Sequence, residues 1–215
     1  MTSDLQAQRE YWNREAEAFD TIYGNGKGAG RRFLDRIFRK DMYERFAFTM
    51  EHSAPVEGKT FLDVGCGSGV YSVELAKSRA RHVTGIDISP AMLELSRARA
   101  EREGVGARCT FVQSDLLAFP ADERVDVTIG IGLFDYIRDP LPVLSAMRRI
   151  TSDTAILSFP RLWTWRAPIR KMRLTLRGCE VYFYSKKRVT ELLRDAGFSD
   201  ITVTKVGKLH CVVVS

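Results

Sequence analysis

Phe61-Leu62-Asp63-Val64-Gly65-Cys66-Gly67-Ser68-Gly69-Val70 is the stretch that decides the fold. Its first half is a short apolar run suited to a buried strand, and its second half sets glycines at alternate positions before a helix-forming segment. Glycine there allows positive φ and a close approach of backbone to a ligand. The helix start that follows offers unpaired N–H groups, which favour an anion such as a carboxylate or phosphate. Val70 stands where a dinucleotide fingerprint requires its third glycine, so the loop reads as G-x-G-x-G rather than G-x-G-x-x-G.

Outward from this loop the chain alternates apolar runs with helical stretches. TFLDV (60–64), HVTGID (82–87), CTFVQ (109–113), VDVTIGI (125–131) and TAILSF (154–159) are the predicted strands, and helices are expected near 69–79, 90–103 and 140–150. That rhythm predicts βαβ units, a mostly parallel sheet with helices on both faces, and a ligand crevice at the carboxyl edge of the strands. A helix over about 186–196 stops at Gly197. ITVTKV (201–206) and LHCVVV (209–214) then flank Gly207-Lys208, which predicts an antiparallel hairpin. Upstream, a helix over the first 20 residues presents Leu5, Tyr11, Trp12, Ala16 and Phe19 on one face. The glycine-rich TIYGNGKGAG (21–30) reads as a loop, and a second helix is expected from about Arg31 to Met50.

Acids close three successive strands on the same edge. Asp63 ends the first and Asp87, 18 residues after Gly69, ends the second; Asp115 follows the third, with apolar Leu116 beside it. Three carboxylates in one crevice repel clustered phosphates and suit a ligand carrying amino and hydroxyl donors.

FLDVGCGSG, VTGIDIS and VQSDL together resemble the successive motifs of the class I S-adenosylmethionine-dependent methyltransferases, a likeness covering about 59–159 and, through the helix and hairpin, 186–214. The resemblance implies a Rossmann-like seven-stranded α/β sheet of order 3-2-1-4-5-7-6 with the last strand antiparallel. It implies S-adenosylmethionine as cofactor, released as S-adenosylhomocysteine. It further implies that Gly65, Gly67 and Gly69 with Asp63 cradle the methionine part, that Asp87 and Ile88 hold the ribose, and that Asp115 and Leu116 hold the adenine, with Ile131 at the end of strand four. YWNREAEAFDTIYG resembles the N-terminal lid of small-molecule members, which makes residues 1–58 a helical lid over a 59–215 catalytic domain. An aromatic of such lids touches the cofactor, here Tyr11 or Tyr23.

The cofactor carries the activation in such enzymes, so no fixed catalytic triad is expected. Asp135 and Tyr136, after strand four, are the candidates for orienting the acceptor or taking its proton. The alternative reading is that Asp135 caps a turn and Tyr136 packs. The N-P-P-Y type of motif that serves many amino-group methyltransferases of nucleic acids does not occur. His82 reads as structural, His52 as a helix-end residue, and His210 as a candidate contact to the acceptor. No His/Asp/Glu cluster has metal-ligand spacing, so no metal is expected.

Composition bounds the remaining choices. The 215 residues, 45% hydrophobic and 28% charged, exclude a disordered tail, a disulfide scaffold and a fibre. Scattered Cys66, Cys109, Cys179 and Cys211 read as reduced thiols. The absence of an 18-residue apolar run, with the polar start, points to a cytoplasmic protein without a membrane span. The net charge of +6 is uneven: 161–188 carries a balance of +8, 21–40 carries +5, and the rest −7. Residues 160–185 read as a cationic, aromatic insertion on the substrate side. Arg161, Trp165, Arg170 and Tyr184 in that insertion, with His210, are the candidate contacts to a small anionic acceptor, aromatic, quinone-like or tetrapyrrole-like and methylated at oxygen. The same charge as solvated surface is the alternative reading. RNA methylation and a non-catalytic cofactor-binding regulator are the competing functions, and the oligomeric state stays open.

Overall fold

The computed structural model describes residues 3–23, 29–120, 124–162 and 180–215, with side chains described at 6–16 and, from residue 40 onward, throughout those ranges. Helices α1 (Ser3–Tyr23) and α2 (Ala29–Ser53) precede the sheet. Then follow β1 (Thr60–Val64), α3 (Val70–Lys77), β2 (His82–Asp87), α4 (Pro90–Arg102), β3 (Cys109–Gln113), β4 (Val125–Gly130), α5 (Leu141–Ile150) and β5 (Thr151–Pro160). The order closes with α6 (Lys186–Asp195), β6 (Ile201–Val206) and β7 (Leu209–Val214).

The seven strands lie in the order β3-β2-β1-β4-β5-β7-β6. β1 pairs in parallel with both β2 and β4, and β7 runs antiparallel between β5 and β6. The Rossmann-like methyltransferase topology expected from the motifs is therefore the observed one.

Alternation along the strands builds a core on each face. On one face Leu62, Leu157, Phe159 and Val212 pack with Leu144 and Met147 of α5 and Leu193 of α6. On the other, Phe61, Val127, Ile129 and Ile156 pack with Leu75 of α3 and Phe48 of α2. Neighbours such as Phe61 and Leu62 thus serve opposite cores. The helices begin where their caps dictate: Ser89 accepts from Met92 N (3.2 Å) ahead of Pro90 at the start of α4, and Ser185 accepts from Arg188 N (3.2 Å) ahead of α6.

Three strand boundaries differ from the sequence reading, β5 also running one residue further, to Pro160. β5 begins at Thr151 rather than Thr154, directly after α5. The Thr151 hydroxyl caps that junction by donating to Met147 O (2.6 Å) and meets the Thr128 hydroxyl at 2.8 Å. β4 ends at Gly130 rather than Ile131, because Gly132 turns the chain out at φ 78 while its N–H donates to Ser158 Oγ at 2.8 Å. Among the described residues no helix is long and apolar enough to cross a membrane.

Candidate active site

The carboxyl ends of β1, β2, β3 and β4 open onto one cavity of about 730 Å³. Its floor is the glycine loop after β1. Gly65 N and Cys66 N both donate to Ile86 O, at 2.9 and 3.0 Å, tying the loop to β2. From α4, Ser96 Oγ donates to Gly67 O (2.7 Å) and Arg99 Nε to Ser68 O (2.9 Å). The Gly67 and Ser68 carbonyls are thus spent on the protein. Gly69 takes φ 73, and a Cβ there would lie 2.9 Å from Ser96 Cβ. Glycine is required at this position on both counts.

Three carboxylates reach the cavity as the motifs predict. Asp87 Oδ2 accepts from Gly67 N (3.0 Å) and Oδ1 from Ser89 N (2.8 Å), so this residue joins the glycine loop to the start of α4. Asp115 caps the short 3-10 turn Leu116–Ala118, its Oδ1 accepting from Leu117 N (3.2 Å), and Leu116 lines the cavity beside it. Asp63 is buried beneath the loop, accepting from Ser72 Oγ at 2.6 Å. Ile88 and Ile131 also line the cavity.

Burial pushes the Asp63 carboxyl up from 3.8 to about 7; the Ser72 hydrogen bond opposes the shift and the Asp87 charge adds to it. Burial raises Asp87 too, against its backbone hydrogen bonds from Ser89 and Gly67. Between these folded and unfolded values the folded protein keeps a proton that the unfolded chain has released. The associated stability is complete below about pH 4 and is lost as pH rises through about 7. The melting temperature of the ligand-free protein is accordingly expected to fall between about pH 5 and pH 7. Asp63→Asn should flatten that fall without removing it, since Asp87 contributes in the same direction. An unchanged slope in the variant would remove Asp63 as its source.

The far side of the cavity is built from α1, α2 and the segment after β4. Gln8 and Trp12 of α1 face Tyr136: Gln8 Nε2 donates to Tyr136 O at 2.7 Å, and the Trp12 and Tyr136 rings meet edge-on at 5.1 Å and 86°. Asp135 lines the cavity and is 5% exposed. Arg45 of α2 donates through Nε to the Tyr71 hydroxyl (3.1 Å). Its Nη1 lies 3.1 Å from where a Cβ on Gly132 would be, so the guanidinium rests directly over the end of β4. At the rim Arg138 donates to Tyr182 Oη (3.1 Å) and Glu180 (3.0 Å), and Tyr182 Oη donates to Glu180.

The cavity gathers Asp63, Gly65, Gly67, Asp87, Ile88, Asp115, Leu116, Ile131, Asp135 and Tyr136, while Gly69 caps α3 just behind the loop. Three expected acceptor contacts lie elsewhere. Arg161 donates to Gly207 O (3.0 Å) over the β6–β7 turn. Tyr184 is buried with its ring edge against Phe159 (5.3 Å), its hydroxyl donating to Ile137 O (3.2 Å), and burial raises its pKa. His210 is buried on β7 opposite Phe159 and Lys205; burial, then the Arg161 charge, hold its pKa below the usual value. His210 is taken up by the pairing of β7 with β5, Arg161 by the β6–β7 turn, and Tyr184 by its bridge to Arg161 and its contact with Phe159. Trp165, Arg170 and the Tyr23 side chain lie outside the described residues. Tyr11 is buried against Val181, and its neighbour Trp12 takes the cavity-facing position. The sequence reading missed Gln8, Arg45 and Tyr71.

The cradle fits S-adenosylmethionine in its donor set. Acids stand at three strand ends, an arginine lies over the fourth, and glycine backbone forms the floor. Ser68 adds a buried hydroxyl at the cavity lining with no hydrogen-bond partner among the described residues, a group that a polar ligand would satisfy. Among the described residues no group of three or more His, Cys, Asp or Glu is arranged to hold a metal ion.

The profile of the methyltransferase domain family matches residues 55–197. Ribosomal protein L11 methyltransferase of Photorhabdus laumondii is 39% identical over 95 residues, 44% of this chain and 31% of that protein. Ubiquinone biosynthesis O-methyltransferase of Hahella chejuensis is 33% identical over 110 residues, 51% of this chain and 46% of that protein. The chain thus spans less than half the length of these curated relatives. Among solved structures, magnesium protoporphyrin IX methyltransferase of Synechocystis with bound S-adenosylhomocysteine superimposes with a TM-score of 0.77 at 23% identity, covering 99% of each chain. Geranyl diphosphate C-methyltransferase of Streptomyces coelicolor gives 0.74 at 15% identity, covering 99% of this chain and 97% of that one. At such identities the superpositions establish a shared fold.

Proposed function

The chain belongs to the methyltransferase domain family, an enzyme class that uses S-adenosylmethionine, and on that premise we propose that it methylates the hydroxyl of a small planar aromatic acceptor. The observation that carries this reading is the continuity of one cavity, from the strand-end acids to an aromatic compartment holding a buried carboxylate. When bound, S-adenosylmethionine supplies a methyl group on a sulfonium sulfur.

The residues divide the work by chemistry. Asp87 accepts hydrogen bonds from the ribose hydroxyls, Asp115 from the adenine amino group, and Leu116 covers the base. Gly65 and Gly67 keep the loop low enough for the methionine part to lie on it, and the Ser68 hydroxyl finds its partner there. Arg45, held by Tyr71 and stacked over Gly132, takes the amino-acid carboxylate, while the Asp63 charge favours the ammonium. Trp12 and Tyr136 wall the acceptor, and the Asp135 carboxylate accepts its hydroxyl proton. α1, within the 1–58 segment, forms the lid.

An oxygen acceptor agrees with the relative named as an O-methyltransferase. The expectation of an anionic acceptor rested on 161–188 and 21–40, of which 163–179 and the side chains of 21–39 lie outside the described residues. The described lining carries Asp63, Asp87, Asp115, Asp135, Asp139 and Glu180 against Arg45 and Arg138, which supports a hydroxyl donor over a multiply charged anion.

Incubation with methyl-labelled cofactor and a panel of phenols and catechols, with RNA and protein arms, tests the proposal. Label in a phenolic ether supports it; label confined to RNA or protein overturns it. The Arg45 assignment has its own check. Arg45→Met is expected to weaken S-adenosylhomocysteine binding by about tenfold, yet to leave 5′-deoxy-5′-methylthioadenosine, which lacks the carboxylate, unaffected. Equal losses for both ligands would place the arginine elsewhere in the site.

A further inference from the structure

Beyond the cofactor cradle the cavity is charged unequally. Asp135, Asp139 and Glu180 line its acceptor end against Arg138 among the described residues. Arg138 is already matched, because it donates to Glu180 (3.0 Å) and to Tyr182 Oη (3.1 Å), and the Tyr182 hydroxyl donates to Glu180 in turn. Asp135 is the proton acceptor of the proposed function. Asp139 is left over. Its Oδ1 accepts from Leu141 N (3.3 Å) at the start of α5, and its other oxygen has no hydrogen bond or ion pair among the described residues. Aromatic rings flank these acids. Trp12 and Tyr136 stand at 86° to one another with centroids 5.1 Å apart, so they wall two sides of one corner, and Tyr182 lines the same cavity. Tyr182 N donates to Asp135 O (2.8 Å) and Tyr184 Oη to Ile137 O (3.2 Å), which fastens 180–184 alongside 135–137. Burial raises the Tyr184 pKa most, and the charges of Asp135 and Asp139 both add to it, so the two carboxylates act on one place. That the cavity takes a polar ligand has a separate ground in Ser68, whose buried hydroxyl lines it with no partner among the described residues.

Resting on the hydroxyl acceptor proposed above, we infer that the acceptor is a phenol carrying an alkylamine: its hydroxyl meets Asp135, and its ammonium is held by Asp139 among the rings of Tyr136 and Tyr182. An ammonium is the group that both parts of this wall favour. The ring faces carry negative potential and attract a cation, and the open carboxylate oxygen accepts a charge-assisted hydrogen bond. A neutral side chain would gain only contact with the rings. A carboxylate would face three acids with one arginine already matched. Asp139 is exposed at the rim, where water screens its charge, so the preference is of moderate size.

The experiment measures methyl transfer, at saturating labelled cofactor, to catechols that share one ring and carry an aminoethyl, an ethyl or a carboxymethyl side chain. The aminoethyl compound is expected to exceed the ethyl compound in kcat/KM by about tenfold, and the carboxymethyl compound to fall below it by a similar factor. Asp139→Asn keeps an oxygen for Leu141 N and removes the charge. It is expected to lower the aminoethyl-to-ethyl ratio about fivefold, through KM rather than kcat, with S-adenosylhomocysteine affinity measured by calorimetry to report a folded variant. A merely structural role for Asp139 would weaken both substrates alike and leave the ratio where it was. A wild type that prefers the ethyl or carboxymethyl compound overturns the inference alone. So does an unchanged ratio in Asp139→Asn, or methylation of other phenols with none of the aminoethyl compound. Absence of label from every phenol and catechol overturns the hydroxyl-acceptor reading beneath it.

Discussion

The affinity of an Asp87→Ala variant for S-adenosylhomocysteine is expected to fall by about 100-fold, ~2.7 kcal/mol. The carboxylate has two duties. It accepts from Gly67 N and Ser89 N at 3.0 and 2.8 Å, and in the proposed function its remaining lone pairs serve the ribose hydroxyls. Alanine removes the charge-assisted bonds to the ligand and also strands two backbone N–H groups at the cavity floor. A buried donor without a partner costs about 1–3 kcal/mol, which the loop can recover only by shifting away from the geometry that the ligand needs. Asp87→Asn keeps one oxygen acceptor and sets an amide donor against the other N–H, so its loss should be intermediate. Calorimetry reads the effect directly, and a thermal melt of the ligand-free variant separates it from unfolding. An Asp87→Ala protein that binds within threefold of wild type would sink the ribose assignment.

Gly69→Ala is expected to lower stability by about 3 kcal/mol, or about 10 °C in melting temperature for a domain of this size. The added Cβ would stand 2.9 Å from both Ser96 Cβ and Oγ and 3.1 Å from Ser96 Cα. Ser96 cannot retreat cheaply, because it is fully buried and its hydroxyl donates to Gly67 O (2.7 Å) and Met92 O (3.1 Å). The backbone at φ 73 adds strain of its own. Gly104→Ala isolates that second part. Gly104 has φ 71 with nothing within 4 Å of its would-be Cβ, so about 1 kcal/mol is expected there. If both variants lose the same amount, the Ser96 contact carries no weight.

Most of the sheet could be read from the sequence because its central strands are buried on both faces. Short apolar runs such as TFLDV and TAILSF, bounded by glycine, proline or charge, leave little choice of conformation. The strand-end acids were legible for a related reason: each follows directly from a strand whose end is sharply defined. Arg45 was not. It sits on a helix recognised by its apolar side, Phe38, Met42 and Phe46, and nothing local marks which polar residue of that helix reaches over Gly132. Trp12 was credited to the packing face of α1, and the helix rotation that sends Tyr11 inward and Trp12 to the cavity depends on Val181 and Tyr136, far along the chain. Tyr184 and His210 misled for the opposite reason. Their residue types suit a binding site, but the pairing of β7 with β5 consumes His210, and packing on Phe159 consumes Tyr184. Long-range placement, not local conformation, separates what could be read from what could not.

The strand order has a consequence for synthesis. β7 lies between β5 and β6, although it follows both in the chain. β1 to β5 can pair as they emerge, but the outer edge of β5 has no neighbour until everything from Arg161 to Lys208 has been made and β7 doubles back. That edge carries Ile156, Leu157 and Phe159, all fully buried in the finished protein. A nascent chain therefore displays an apolar strand with unmet backbone hydrogen bonds, the form most open to pairing with another copy. The interval before β7 arrives is the hazardous stage of this protein's biogenesis, and substitutions that delay the β6–β7 hairpin should act on yield before they act on the stability of the folded protein.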